Sequence, residues 1–329
     1  MSLRFSLLLG KPPKPGSLLA EVIDDLTADG STVDVLLPHE QSVDPGSLHG
    51  QDLVVHRGLH TTLTPLLGAL HDRGVPLCAP FGADELLRDR RLWHARLAEA
   101  GLPVPPAEEH ADWASVLEAG RDEEIVVKAL SGPGRGSQVL AGTAATLPAE
   151  APFTGPYLVE PRLVAEDIDR KLYVAGGEVR GLLKPSTLTH PHVTSGEPFA
   201  PDEELVDLAL AAGRVLGVHL FGADVLHTPG GPVVIDVNAF PGFRGVQGAP
   251  ALVAAHLREH AEGQGTQPPP RPLPASRIPP LGGKVPVSWH LSSSGRRGLR
   301  HEAMRHEAKG ASQLEPFVEP RAETGDRGG

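Results

Sequence analysis

The residues best suited to chemistry lie close together. Asp224 stands in the apolar run FGADVL at 221–226, and Asp236 and Asn238 stand two apart in VVIDVN at 233–238, with the turn formers TPGGP at 228–232 between them. Apolar runs separated by such a turn predict a β-hairpin. Side chains at i and i+2 of a strand share a face, so Asp236 and Asn238 point the same way, and pairing can bring Asp224 beside them. Two carboxylates so placed repel unless a cation sits between them. An all-oxygen set suits a hard ion such as Mg²⁺, which keeps open positions for phosphate oxygens. Taken alone, the two acids fit solvated strand ends as well. The sharp apolar turn AFPGFRG at 239–245 follows directly and would hold the group in place.

A second feature lies upstream. The strand-like run EIVVKAL at 124–130 ends near Lys128, continues into SGPGRGS at 131–137, and resumes as QVL at 138–140. Gly132, Gly134 and Gly136 permit backbone N–H groups to line an anion-attracting concavity, and a lysine at its base can meet the same phosphates. Lys128, Lys171 and Lys184, each at a strand edge, form a cationic lining in a chain of net charge −11. Singly, such lysines also serve as solvated edge residues.

The run VVIDVNAFPGFRGV after FGADVL resembles the metal-binding end of ATP-grasp enzymes, where an acidic residue on one strand and an acidic-x-Asn triplet on the next hold Mg-ATP. That resemblance implies an α/β protein with an N-terminal parallel-sheet lobe followed by two ATP-grasp subdomains that clasp ATP. It implies Asp224, Asp236 and Asn238 as ligands of two Mg²⁺ ions, with Mn²⁺ as a substitute, and Lys128 on the α- and β-phosphates. It gives Arg90 a place near the phosphates and puts Glu160, Pro161 and Arg162 at the adenine, with Lys184 and Ser186 also on the nucleotide. Arg57 and Lys171 fall on the catalytic, acceptor side.

Two branches share this spelling, the RimK-like ribosomal-protein glutamate ligases and the inositol trisphosphate 5/6-kinases. The His56-Arg57 pair, Arg90, RKLYVAGGEV at 170–179, LLKPS at 182–186 and IDVNAFPGF at 235–243 resemble the kinases, over residues 50–258. The ligases usually carry Glu where Asp236 stands. Against the kinase, Gln138 occupies a position where those enzymes have histidine, and an inositol polyphosphate needs more cationic surface than an acidic chain offers. The expectation is a carboxylate–amine ligase that forms an amide through an acyl phosphate, with a small molecule or peptide as acceptor. The alternatives are a kinase acting on a hydroxyl and an ATP-binding regulatory protein.

The elements that must position these groups follow from periodicity. Apolar strands at 3–9, 33–37, 52–57 and 75–79 alternate with helices at 17–28 and 63–72, which is βαβ arithmetic for a parallel sheet. Arg57 then lies at a strand's carboxyl end, where open sheets bind ligands. Helices are expected at 84–100, 113–119, 202–216 and 250–260, and a second hairpin around Gly176-Gly177. The expected domains are an N-terminal lobe at 1–83, a central subdomain at 84–159, a metal-bearing subdomain at 160–262, and a disordered Pro/Gly/Arg-rich tail at 263–329.

No apolar run approaches the ~20 residues of a spanning helix. The single Cys78 sits in an apolar strand, where a small buried hydrophobe is its expected role. A cytoplasmic address without membrane or nucleic-acid partners is expected, with the oligomeric state open. The sequence His190-Pro191-His192 reads as an exposed loop rather than a metal site.

Overall fold

In a computed structural model, the described residues are 2–131, 138–190, 192–193 and 195–263. The glycine hairpin at 132–137 and nearly all of the expected tail, 264–329, lie outside them.

The chain begins with β1 (Arg4–Leu9), α1 (Leu18–Ala28), β2 (Thr32–Leu36), β3 (Leu53–Arg57), α2 (Thr64–Asp72) and β4 (Leu77–Cys78). The strands form a parallel sheet in the order β2-β1-β3-β4. Period-2 alternation explains its two cores. Phe5, Leu7, Leu9, Leu53 and Val55 face Leu19, Val22 and Leu26 of α1, while Leu8 and Val54 turn the other way onto Leu67 and Leu70 of α2. Burial on both faces is what such continuous apolar strands require. The exits of β1 and β3 nearly touch. A Cβ on Gly10 would sit 1.9 Å from the Gly58 carbonyl oxygen, so this crossing admits only glycine.

The stretch expected as one helix at 84–100 is two, α3 (Ala83–Arg88) and α4 (Arg90–Glu99). Asp89 between them is extended, and its carboxylate accepts a 3.0 Å hydrogen bond from the Arg91 N–H. A capping aspartate in mid-pattern starts a new helix. Ser17 does precede α1 as expected, although its hydroxyl makes no capping bond.

The second sheet is antiparallel, in the order β5-β8-β6-β7, from β5 (Glu108–His110), β6 (Ile125–Ala129), β7 (Val139–Gly142) and β8 (Tyr157–Pro161). Helix α5 (Trp113–Ala119) covers it, with Trp113 edge-on to Tyr157 at 5.3 Å.

The third sheet has the order β11-β10-β9-β12-β13, from β9 (Ile168–Ala175), β10 (Glu178–Pro185), β11 (Glu197–Phe199), β12 (Leu220–Thr228) and β13 (Gly231–Ala239). Helix α6 (Glu203–Leu216) starts at Asp202, whose carboxylate accepts from the Leu205 N–H at 2.9 Å, and ends at Gly217 in the left-handed region. Its apolar stripe buries Leu205, Leu208, Ala209, Ala212 and Leu216 against Leu172, Val174, Ala223, Val225 and Val237. Each fully buried leucine contributes roughly 1.5–3 kcal/mol. Helix α7 (Ala249–Ala261) closes the described chain. Val253, Ala254 and Leu257 of α7 share one core with α1, the parallel sheet, and Leu220, Phe240 and Phe243.

Candidate active site

The face of the third sheet opposite α6 gathers the candidate site residues, and the same alternation explains why. Where Leu172, Ala223 and Val237 point at the helix, their neighbours Lys171, Asp224, Asp236 and Asn238 point away. In the ladder Asp224 pairs with Asp236 on one side and with Lys171 on the other. A cation and two anions thus line up across three adjacent strands. Lys171 Nζ donates to Asp224 Oδ2. Asn238 Nδ2 donates to Asp236 Oδ2 at 3.2 Å. A register shift after Asp224 marks a bulge beside the pair. Burial works against the charge of Lys171, but the carboxylates of Asp224 and Asp169 more than offset it, so the ammonium titrates above the ordinary lysine range.

Over this face lies a cleft of about 270 Å³, lined among others by Lys171, Tyr173, Lys184, Asp224, Asn238 and Arg244. Lys184 stays on its wall, and Ser186 turns inward, its hydroxyl accepting from the Leu188 N–H at 3.4 Å.

A second polar knot ties the sheets together. Lys128, 5% exposed, donates to Glu160 Oε1 at 2.8 Å and Oε2 at 2.7 Å, and to the Ile235 carbonyl at 2.8 Å. Its three donors are therefore used within the protein, whereas the sequence suggested an ammonium aimed at phosphates. Glu160 is its partner because β6 and β8 pair Val126 with Glu160 and Lys128 with Leu158, which sets the two side chains diagonally on one face. Arg90, also buried, donates from Nη1 to the Ala129 carbonyl at 3.0 Å and brings Nε to 3.8 Å from Asp236 Oδ1. The Arg162 N–H is taken by the Glu124 carbonyl at 2.8 Å. Strand β5 pairs with β8 only through residues 157–159, so Glu160 and Pro161 lie beyond its reach.

Arg57, at the end of β3, meets the turn that leaves β13. Its Nε donates to the Phe240 carbonyl at 2.9 Å, and its guanidinium lies 5.1 Å from the Phe240 ring centroid. Burial and the neighbouring charge of Arg244 lower its pKa. Phe240 and Phe243 both hold positive φ, 32° and 48°, so this turn is strained. Tyr173 and Arg244 received no role from the sequence. Tyr173 was findable as the i+2 neighbour of Lys171, and Arg244 as a cation inside the apolar turn. His190 is exposed beside Asp167, 3.3 Å away. Cys78 is buried in the parallel sheet, which pushes its thiol up to about 12.

The three sheets have the arrangement of the ATP-grasp fold, and in sequence too the chain is similar to ATP-grasp proteins. The family model for the inositol 1,3,4-trisphosphate 5/6-kinase ATP-grasp domain matches residues 191–259. Among curated proteins the chain is similar to a probable alpha-L-glutamate ligase of Methanococcoides burtonii, 28% identical over 50% of this chain and 59% of the relative. It is also 31% identical to one of Pseudomonas fluorescens, over 50% of this chain and 59% of the relative. The matches therefore span no more than about three-fifths of these relatives' length. Among solved structures, ATP-grasp ligase PsnB, complexed with a phosphomimetic variant of its minimal precursor, Mg and ADP, superposes with TM-score 0.61 at 18% identity, covering 79% of this chain and 99% of that one. The RimK domain protein ATP-grasp from Sphaerobacter thermophilus gives 0.58 at 21% identity, covering 77% and 98%. No helix among the described residues is long and apolar enough to cross a membrane.

Proposed function

We propose that this protein is a Mg²⁺- and ATP-dependent ligase that joins a carboxylate to an amine through an acyl phosphate, with an amino acid or peptide as acceptor. The observation that carries this reading is the row Asp236–Asp224–Lys171 with Asn238 beside it, opening on a cleft lined by Lys184 and Arg244. Three hard oxygen donors on one face fit Mg²⁺. Asp224, Asp236 and Asn238 would hold the metal, which when bound neutralises charge developing on the transferring phosphoryl group.

The chain's own residues do the rest. Gly132, Gly134 and Gly136, which the sequence marks as an anion-attracting turn, would cover the phosphates. The backbone of Glu160, Pro161 and Arg162 meets the adenine where β5 has ended. Lys128 and Arg90 act from the buried knot beside the nucleotide, with Lys184 at the far wall and Ser186 buried two residues beyond it. Arg57 anchors the acceptor, and Lys171 reaches the reacting end. An acceptor carboxylate oxygen attacks the γ-phosphorus and ADP departs. An amine nitrogen then attacks the acyl carbon, loses a proton, and phosphate departs. Positioning and charge supply the catalysis. The glutamate-ligase relatives span half of this chain whereas the kinase match is confined to residues 191–259, and this difference supports the ligase.

The test incubates the protein with Mg-ATP, pools of amino acids and short peptides, and hydroxylamine, with products identified by mass. A hydroxamate or amide formed with ADP and free phosphate is the expected result. A product heavier by one phosphoryl group from a parallel pool of inositol phosphates, without free phosphate, would overturn it in favour of a kinase.

A further inference from the structure

Each carboxylate of the facing pair already has a cation of its own. Asp224 accepts from Lys171 across the β9–β12 ladder, and Asp236 lies 3.8 Å from Arg90 Nε. The four groups form a neutral cluster, cation, anion, anion, cation. The Lys171 and Asp224 side chains are only 18% and 19% exposed.

We propose that Lys171 and Arg90 are resident counter-cations that close the metal site to a bare divalent ion and make it selective for a metal–nucleotide complex. This deepens the reading above and rests on it. Two carboxylates directly opposite on neighbouring strands repel. Without built-in cations they would chelate any passing dication. With them, a bare dication must break the Lys171–Asp224 pair and leave a half-buried ammonium beside two further positive charges, which is costly where water is scarce. A dication carrying a polyphosphate meets no such obstacle. Its phosphate oxygens give Lys171 and Arg90 new anionic partners as the carboxylates change theirs, so no charge is left alone.

The two cations divide the task. Arg90 is fixed by its bond to the Ala129 carbonyl and by burial, so it stays near Asp236 and meets the incoming phosphate in place. Lys171 has a flexible stem and borders the open cleft with Tyr173 and Lys184, so it is the one that swings. Lys171 is thus a specificity-determining residue whose effect shows in metal binding before any turnover. A purely structural pair would not produce that effect.

The experiment titrates Mn²⁺ calorimetrically into the full-length protein without nucleotide and again with ADP. Wild type should bind bare Mn²⁺ weakly and bind it with ADP at least about tenfold more tightly. Lys171→Met should bind bare Mn²⁺ about tenfold or more tighter than wild type, because one positive charge has left the site. Lys171→Arg should behave as wild type. Lys171→Gln carries the methionine variant's expectation should that variant fail to fold. Bare Mn²⁺ binding no tighter in Lys171→Met and Lys171→Gln than in wild type, while Asp236→Ala abolishes binding with ADP, would overturn this proposal and leave the metal site standing. Binding with ADP that Asp236→Ala leaves unchanged would instead remove the metal reading itself and the proposal with it.

Discussion

Lys128 and Glu160 show how one contact redefines a residue. Lys128 closes the strand before the glycine hairpin, and its type and place both suggest a phosphate contact. In the structure Glu160 and the Ile235 carbonyl hold its ammonium, in a pocket where both side chains are at most 6% exposed. Removing one partner of a buried ion pair leaves a stranded charge, which costs about 3–5 kcal/mol. Lys128→Ala should therefore lower the unfolding free energy by about that amount in urea denaturation, and Lys128→Met combined with Glu160→Gln should recover most of it. A stability loss under about 1 kcal/mol would mean that the pair is not held as described. The sequence could not supply Glu160, because the partner lies across a non-local strand pairing. Asp224, Asp236 and Asn238 were legible for the opposite reason: one tight hairpin fixes their register within a few residues.

Among the elements, those with a clear apolar period or a turn signal could be read, and some of the shortest could not. Helix α6 announces itself by its stripe and its aspartate cap, and the β12–β13 hairpin by its turn. Strands β5 and β11, three residues each, have too few positions to show an alternation. The break between α3 and α4 hides in an aspartate that looks like any surface charge until it caps. The same reasoning locates a sensitive packing point under the site. Gly213 lies on the inner side of α6, where a Cβ would come 2.8 Å from the Phe221 ring and 2.9 Å from the Val218 carbonyl oxygen. Phe221 belongs to β12, three residues before Asp224. Gly213→Ala should cost roughly 1–3 kcal/mol by overpacking. It should also weaken Mn²⁺ binding in the presence of ADP, since relief of the clash moves the strand that carries Asp224, a proposed ligand. A thermal midpoint and a Mn²⁺ affinity both equal to wild type would show that the helix yields freely there.

At the scale of the whole molecule, the parallel sheet and the third sheet share one core through α7, and three histidines sit at that seam. His219 and His260 have ring centroids 6.3 Å apart, and His256 and His260 5.9 Å apart. His256 Nε2 and His260 Nδ1 are buried with no hydrogen-bond partner among the described residues. Burial first, and then the proximity of the other imidazoles, lowers His256 from 6.5 to about 4, and burial is likewise the largest cause for His219 and His260. The unfolded chain protonates these rings near pH 6.5, while the folded chain resists until the pH is lower. Between those values the unfolded state binds more protons, so stability falls as the pH falls, and for His256 the loss is complete once the pH passes below about 4. The rings are thus neutral at the seam at neutral pH, and the cost of protonating them there lowers stability in acid. His256 alone should account for up to about 3 kcal/mol across that window. Urea midpoints measured from pH 7 to 4 should decline steeply in wild type and less steeply in His256→Gln, which cannot take up the proton. Equal slopes in the two proteins would assign the acid sensitivity to groups elsewhere and leave the histidine seam as packing alone.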